Sequence, residues 1–342
     1  VPHSLDRLRK VEFPPFESAI RAGTKMVMTA HLALPAIDGS DAPPATLSPG
    51  ILKNLLRDQL KFQGVIITDA MDMHAITQGD ALGANAVRAA AAGADLLLIT
   101  TDPGDQELVH VSLMQAAKNG ALSSKNLSAS AERILSLKKW LANQKTELDL
   151  EVVGCADHRK VADEIAARSV TLVRDQAKIL PLRLRSGQRA AVIVPKPIDL
   201  TPADTSSYVI PNLASALRAF HPNVDEFIVS HSPLENEIAS IVERTRSYDL
   251  IVIGTLNAFS NSGQSALVHK VLESGKPVIV AAMRLPYEPA AFPEAPTFVC
   301  TYSILEPSMN ALASALFGQG KFQGNLPVSI PGLYPMGYHL DL

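Results

Sequence analysis

The residues most able to do chemistry stand where one apolar run stops. In the stretch GVIITDAMDMHAI, Gly64–Ile76, three aliphatic β-formers lead into Thr68 and Asp69. A buried strand that ends on a carboxylate places it at the strand's carboxyl end, the edge where parallel α/β folds gather their ligands. Three chemistries use an aspartate there. It can attack an anomeric carbon in a retaining glycosidase, accept a phosphate beside Mg²⁺, or hold ribose hydroxyls in a dinucleotide fold. A purely local role competes with all three, since Asp also caps helices and closes βα turns. No G-x-G-x-x-G occurs, which removes the dinucleotide reading. The phosphate-acceptor reading needs a second acidic cluster, and only Asp102, after LLLITT, stands near that role.

His31 ends the run MVMTA as Asp69 ends VIIT, so it is expected in the same pocket mouth as a substrate-binding wall or hydrogen-bonding residue, not as the proton donor. Met71 is the second substrate-binding candidate, packing under a sugar, although methionine more often fills gaps in a core. Asp72 reads as a solvated acid at a helix start, and His74 and His3 as surface residues. The loop GTLNAFSNSGQ after LIVI carries no lysine to complete a phosphate cradle and reads as an ordinary βα connection. His, Cys and acidic residues do not cluster at ligand spacing, so neither a metal nor another cofactor is implied.

These side chains need a frame of alternating strands and helices. TKMVMTAHL, GVIITD and ADLLLIT read as strands; SPGILKNLLRDQL and GDALGANAVRAAAAG read as helices between them. Ser48 followed by Pro49 is a helix start. Two more helical stretches, QELVHVSLMQAAKNG and SASAERILSLKKWLANQ, complete about three strand-plus-helix units. Periodicity fades through KTELDLEVVGCAD, residues 145–157, which reads as a linker. Beyond it RKVADEIAARSVTLVRD, RAAVIVP, DEFIVS, DLIVIG, KPVIVAAM and APTFVCTY supply strands, with LENEIASIVERTRS and NALASALFG as helices. Their continuous aliphatic runs predict a parallel sheet covered on both faces.

Composition agrees with a folded two-domain chain. The 342 residues are 47% hydrophobic and 19% charged, enough for two buried cores. A net charge of -3 without basic runs argues against nucleic acid as a partner. No apolar run reaches the ~20 residues of a membrane span. Two cysteines, Cys155 and Cys300, define no disulfide framework. The chain starts at Val1 without a signal-like segment, and a segment upstream is expected to have been removed.

KFQGVIITDAMDM resembles the nucleophile segment of glycoside hydrolase family 3, in particular its β-N-acetylhexosaminidase branch. AGTKMVMTAHLALPAID and ATLSPGILKNLLRDQLKFQG are similar to the segments leading into it. AARSVTLVRDQAKILPL resembles the entry to the family's second domain, and ALFGQGKFQGNLPVSIPGLYPMGYHL its closing segment. The resemblance implies the C-terminal part of a (β/α)8 TIM-type barrel over residues 1–145, then an α/β/α sandwich over 158–342. It implies a retaining exo-β-N-acetylglucosaminidase acting on peptidoglycan or chitin fragments, with Asp69 as nucleophile; β-glucosidase specificity and a non-catalytic carbohydrate-binding remnant are the alternatives.

The sequence departs from the family at the proton donor. In this branch a histidine–aspartate pair lies on a mobile loop near a K-H-F-P-G-H-G segment, and neither KHF nor GHG occurs here. By resemblance Val1 falls just after that loop, and about three of a barrel's eight strands are accounted for. An N-terminal barrel fragment is therefore expected as partner, carrying the acid/base, and this chain alone is expected to be inactive. Members of the branch are often exported or surface-anchored in bacteria, which sets the expectation for location.

Overall fold

The computed structural model describes residues 1–76, 81–144, 149–201 and 203–342. The chain divides into two compact units, residues 1–147 and 148–342. Of the expected linker at 145–157, residues 145–148 lie outside the described residues. In the remainder a short helical turn forms at Leu150–Val152, and the helix Ala156–Ser169 begins.

In the first unit β1 (Met26–Met28) and β2 (Val65–Ile67) pair in parallel, with Met26 opposite Val65 and Met28 opposite Ile67. The helix Gly50–Gln59 crosses between them and buries Leu52 and Leu56. Ser48 starts it as expected. Its Oγ accepts the Ile51 N–H at 3.0 Å while donating to Asp38 Oδ2 at 2.7 Å. The small residues of the helix Leu82–Ala92 let it pack closely: Ala86, Ala89 and Ala92 are buried, and a Cβ on Gly83 would collide with Ser112 Oγ. The helices Pro103–Lys118 and Ser124–Ala142 complete the unit. Its core joins Leu52, Leu56, Phe62, Ile66, Met71 and Ala89.

ADLLLIT forms no regular strand, contrary to the sequence reading. Among the described residues it makes one bridge, Leu96 to Ile67. The segment has β2 on one side and, among the described residues, no strand on the other, and Thr68 interrupts the ladder by taking the Leu98 N–H on its side-chain oxygen at 2.9 Å. Asp95, which the sequence shows merely as a break in an apolar run, is a buried hub. It accepts from Arg57 Nη2 at 2.6 Å, Arg133 Nη2 at 2.8 Å, Ser130 Oγ at 2.7 Å and the Ile66 N–H at 2.9 Å. One carboxylate thereby ties β2 to two helices.

The second unit holds β3 (Thr171–Asp175), β4 (Ala190–Pro195), β5 (Val224–Val229), β6 (Leu250–Thr255), β7 (Val278–Ala282) and β8 (Thr297–Cys300), in the order β3-β8-β7-β6-β4-β5. β3 runs antiparallel to β8 and all other neighbours are parallel. The reading of RKVADEIAARSVTLVRD as strand is corrected: Ala156–Ser169 is helix and Thr171–Asp175 alone is strand. Alanine, glutamate, arginine and lysine favour helix, and the switch comes where β-branched residues begin. Both faces of the sheet are buried, as the aliphatic runs imply. Val192, Val252 and Ile279 pack under the helices Leu213–Arg218 and Glu306–Leu316, whereas Ile193, Ile253 and Val280 pack under Glu235–Thr245 and Ser262–Leu272. The result is an α/β/α sandwich, the architecture expected for this part.

Candidate active site

The sequence Val-Ile-Ile-Thr-Asp carries β2 to its carboxyl end and then leaves the ladder, because Thr68 and Met71 turn their N–H groups to the neighbouring segment. The Thr68 N–H donates to Leu96 O at 3.0 Å and the Met71 N–H to Leu98 O at 2.8 Å. Asp69 lies between these two anchored points, half-buried at the rim. Its Oδ1 accepts the Ala70 N–H at 2.8 Å. Oδ2 has no protein partner among the described residues and is the oxygen left for bonding to a ligand.

His31, at the end of β1, joins Asp69's neighbourhood through the backbone. Its Nε2 is 2.8 Å from Ala70 O and its Nδ1 is 2.9 Å from Thr46 Oγ1. A carbonyl only accepts, so Nε2 carries a proton. Thr46 Oγ1 in turn lies 2.7 Å from Thr29 Oγ1, and both threonines are buried. His31 is thus bonded to the residue that follows Asp69, and both ring nitrogens are spent on the protein. Of the two expected roles, wall or hydrogen-bonding residue, this geometry leaves the carbon edge of the ring for a wall.

Met71 is corrected outright as a pocket residue. Its side chain is 0% exposed and belongs to the first unit's core. The bond from its N–H to Leu98 turns the chain so that this side chain points inward. Asp72, Met73 and His74 are exposed, as is His3. Asp102 caps the helix Pro103–Lys118, accepting the Gly104 and Asp105 N–H groups at 2.8 and 3.1 Å. Engaged as a cap, it does not form the second acidic cluster that a phosphate acceptor needs. In the loop after β6, Asn257 lies in the left-handed region at φ 62°.

A second carboxyl stands out in the other unit. Glu288 is fully buried, bonded to the Thr255 hydroxyl and to the Ala258 N–H at 3.0 Å. Burial pushes it up to about 7. It closes the β6 loop from inside, and no motif around it marks that role.

Two family models match the chain: the glycosyl hydrolase family 3 N-terminal domain over residues 1–137 and its C-terminal domain over 170–335. Beta-hexosaminidase A of Pseudoalteromonas piscicida is 26% identical over 96% of this chain and 62% of its own length. A beta-N-acetylglucosaminidase/beta-glucosidase of Cellulomonas fimi is 26% identical over 92% of this chain and 59% of its own. Among solved structures, a family 3 beta-N-acetylglucosaminidase from Paenibacillus sp. str. FPU-7 superposes with a TM-score of 0.87 at 30% identity, covering 96% of this chain and 63% of that one. A beta-xylosidase of Formosa agariphila also matches at 26% identity, so identity alone does not choose the sugar. The chain spans about three fifths of the length of the first two relatives.

Proposed function

As the chain belongs to glycosyl hydrolase family 3, we propose that it carries the nucleophilic half of a retaining exo-β-N-acetylglucosaminidase. One observation carries the reading. Asp69 stands at the carboxyl ends of parallel strands with Oδ1 held and, among the described residues, no partner on Oδ2. In the first step Oδ2 bonds to the anomeric carbon as the bond to the leaving oxygen breaks and that oxygen takes a proton. Water then attacks the glycosyl-aspartate, the former acid now acting as base, and two inversions give retention.

The acid/base is assigned to a part of the protein outside these 342 residues. Within the chain His31 is committed at both nitrogens. The first unit also offers apolar surface at both edges of its strand set, with Met28 53% and Leu98 40% exposed. Further barrel strands would cover such edges, and bare edges invite aggregation. Terminal N-acetylglucosamine on peptidoglycan- or chitin-derived fragments is the proposed substrate. Among the described residues no helix is long and apolar enough to cross a membrane.

The test is hydrolysis of a chromogenic β-N-acetylglucosaminide by the full-length protein, with the first-formed anomer followed by NMR. Release of the β-anomer, lost on Asp69→Ala, is expected. Release of the α-anomer, or an Asp69→Ala variant that keeps its rate, contradicts the reading. Preference for a β-glucoside would favour the second specificity that the Cellulomonas relative's name carries.

A further inference from the structure

We propose that His31 is a positioning residue for Asp69, acting through the Ala70–Met71 peptide. The proposal rests on the reading of Asp69 as nucleophile and deepens it. Asp69 has no rigid element of its own, since β2 ends at Ile67. Its geometry comes from what holds the chain on either side. Before it, Thr68 is fixed twice to the Leu96–Leu98 segment. After it, the peptide plane between Ala70 and Met71 is held at its N–H by Leu98 O and at its carbonyl by His31 Nε2, both at 2.8 Å.

Without the imidazole that plane keeps one anchor and can swing about it. Ala70 moves with it, and the Ala70 N–H is the group that fixes Oδ1. A reacting oxygen displaced by a fraction of an ångström loses rate steeply, on the order of a hundredfold per ångström. The two threonines behind His31 hold the other edge of its ring. Ala70 O requires the ring proton on Nε2, which leaves Nδ1 an acceptor; the Thr46 hydroxyl, 2.9 Å from it and 3.3 Å from Ala30 O, donates to this nearer partner and accepts from Thr29. Neither nitrogen is free to reach a leaving oxygen, so the effect of His31 is on placement and not on proton delivery.

Kinetics of the full-length protein on two aryl β-N-acetylglucosaminides separate these roles, one with a dinitrophenolate leaving group that departs unprotonated and one with a poor phenolate. His31→Ala is expected to lower kcat at least about tenfold, by the same factor on both donors and with KM nearly unchanged. His31→Gln, which brings an amide N–H toward the Nε2 position, is expected to recover most of the loss. A loss confined to the poor leaving group would make His31 the proton donor, and a raised KM at constant kcat would make it a substrate contact. Either outcome, or no change, overturns the proposal. If His31→Ala does not melt as a folded protein, Thr46→Val and His31→Gln decide: a several-fold kcat loss on both donors in the first, absent in the second, is expected, and equal rates in the two overturn it. Asp69→Ala in parallel keeps the failures apart, because its full activity would sink the nucleophile reading whatever His31 does.

Discussion

The hydroxyl of Thr68 accepts the Leu98 N–H at 2.9 Å, taking the place of a backbone carbonyl in the ladder beside β2. This bond lets the chain leave the strand at Asp69 while staying tied to its neighbour. Thr68→Val removes the acceptor at constant shape in a fully buried site. We expect a loss of about 1–3 kcal/mol in denaturant unfolding of the first unit, together with a lower kcat, and near-normal behaviour for Thr68→Ser. Equal stability of the valine variant would show that the bond contributes nothing.

Asp95 holds two arginines with a side chain that is itself fully buried. Asp95→Ala leaves both guanidiniums without their counter-charge, and an unpaired buried charge of this kind costs about 3–5 kcal/mol. Chemical denaturation should show the first unit unfolding at much lower denaturant, with the second unit unmoved. Replacing Asp95 together with Arg57 and Arg133 by apolar residues should restore part of the loss.

Glu288 gives the second unit a pH dependence of definite sign. Its carboxyl sits at about 7 in the folded protein against an ordinary 4.5. Between those values the folded state holds a proton that the unfolded state has released. The stabilisation is therefore complete below about 4.5 and lost as pH rises through 7, amounting to about 3 kcal/mol. Asp204 and Asp225 are shifted downward from 3.8 by hydrogen bonds, so their effects fall below this window. Melting of the second unit should drop between pH 5 and pH 8, and Glu288→Gln should flatten that drop. A wild-type profile already flat would contradict the assignment.

Met71 tests the interior placement. Met71→Ala should cost about 2–5 kcal/mol as a cavity, and Met71→Leu less than about 1.5 kcal/mol, with KM the same in the leucine variant. A KM change without a stability change would return Met71 to the pocket wall.

What could be read in advance followed the range of the forces involved. Aliphatic runs in β4, β6 and β7 announce a doubly covered sheet because burial depends on composition alone. The position of Asp69 at a strand end is equally local. Thr46 carries no such mark, since its value lies in meeting His31 across 15 residues of chain and Thr29 across 17. Met71 misleads because the inward turn is set by a backbone bond to Leu98, which no side-chain pattern records. Glu288 is hidden for the same reason: its partners at Thr255 and Ala258 lie 33 and 30 residues away.

The most direct measurement is covalent trapping. The full-length protein is incubated with a fluorinated N-acetylglucosaminyl donor bearing a good leaving group, digested, and the labelled peptide sequenced by mass spectrometry. One sugar on Asp69, and none after Asp69→Ala, is the predicted result. A label on any other residue, or turnover that never passes through a labelled enzyme, would contradict it.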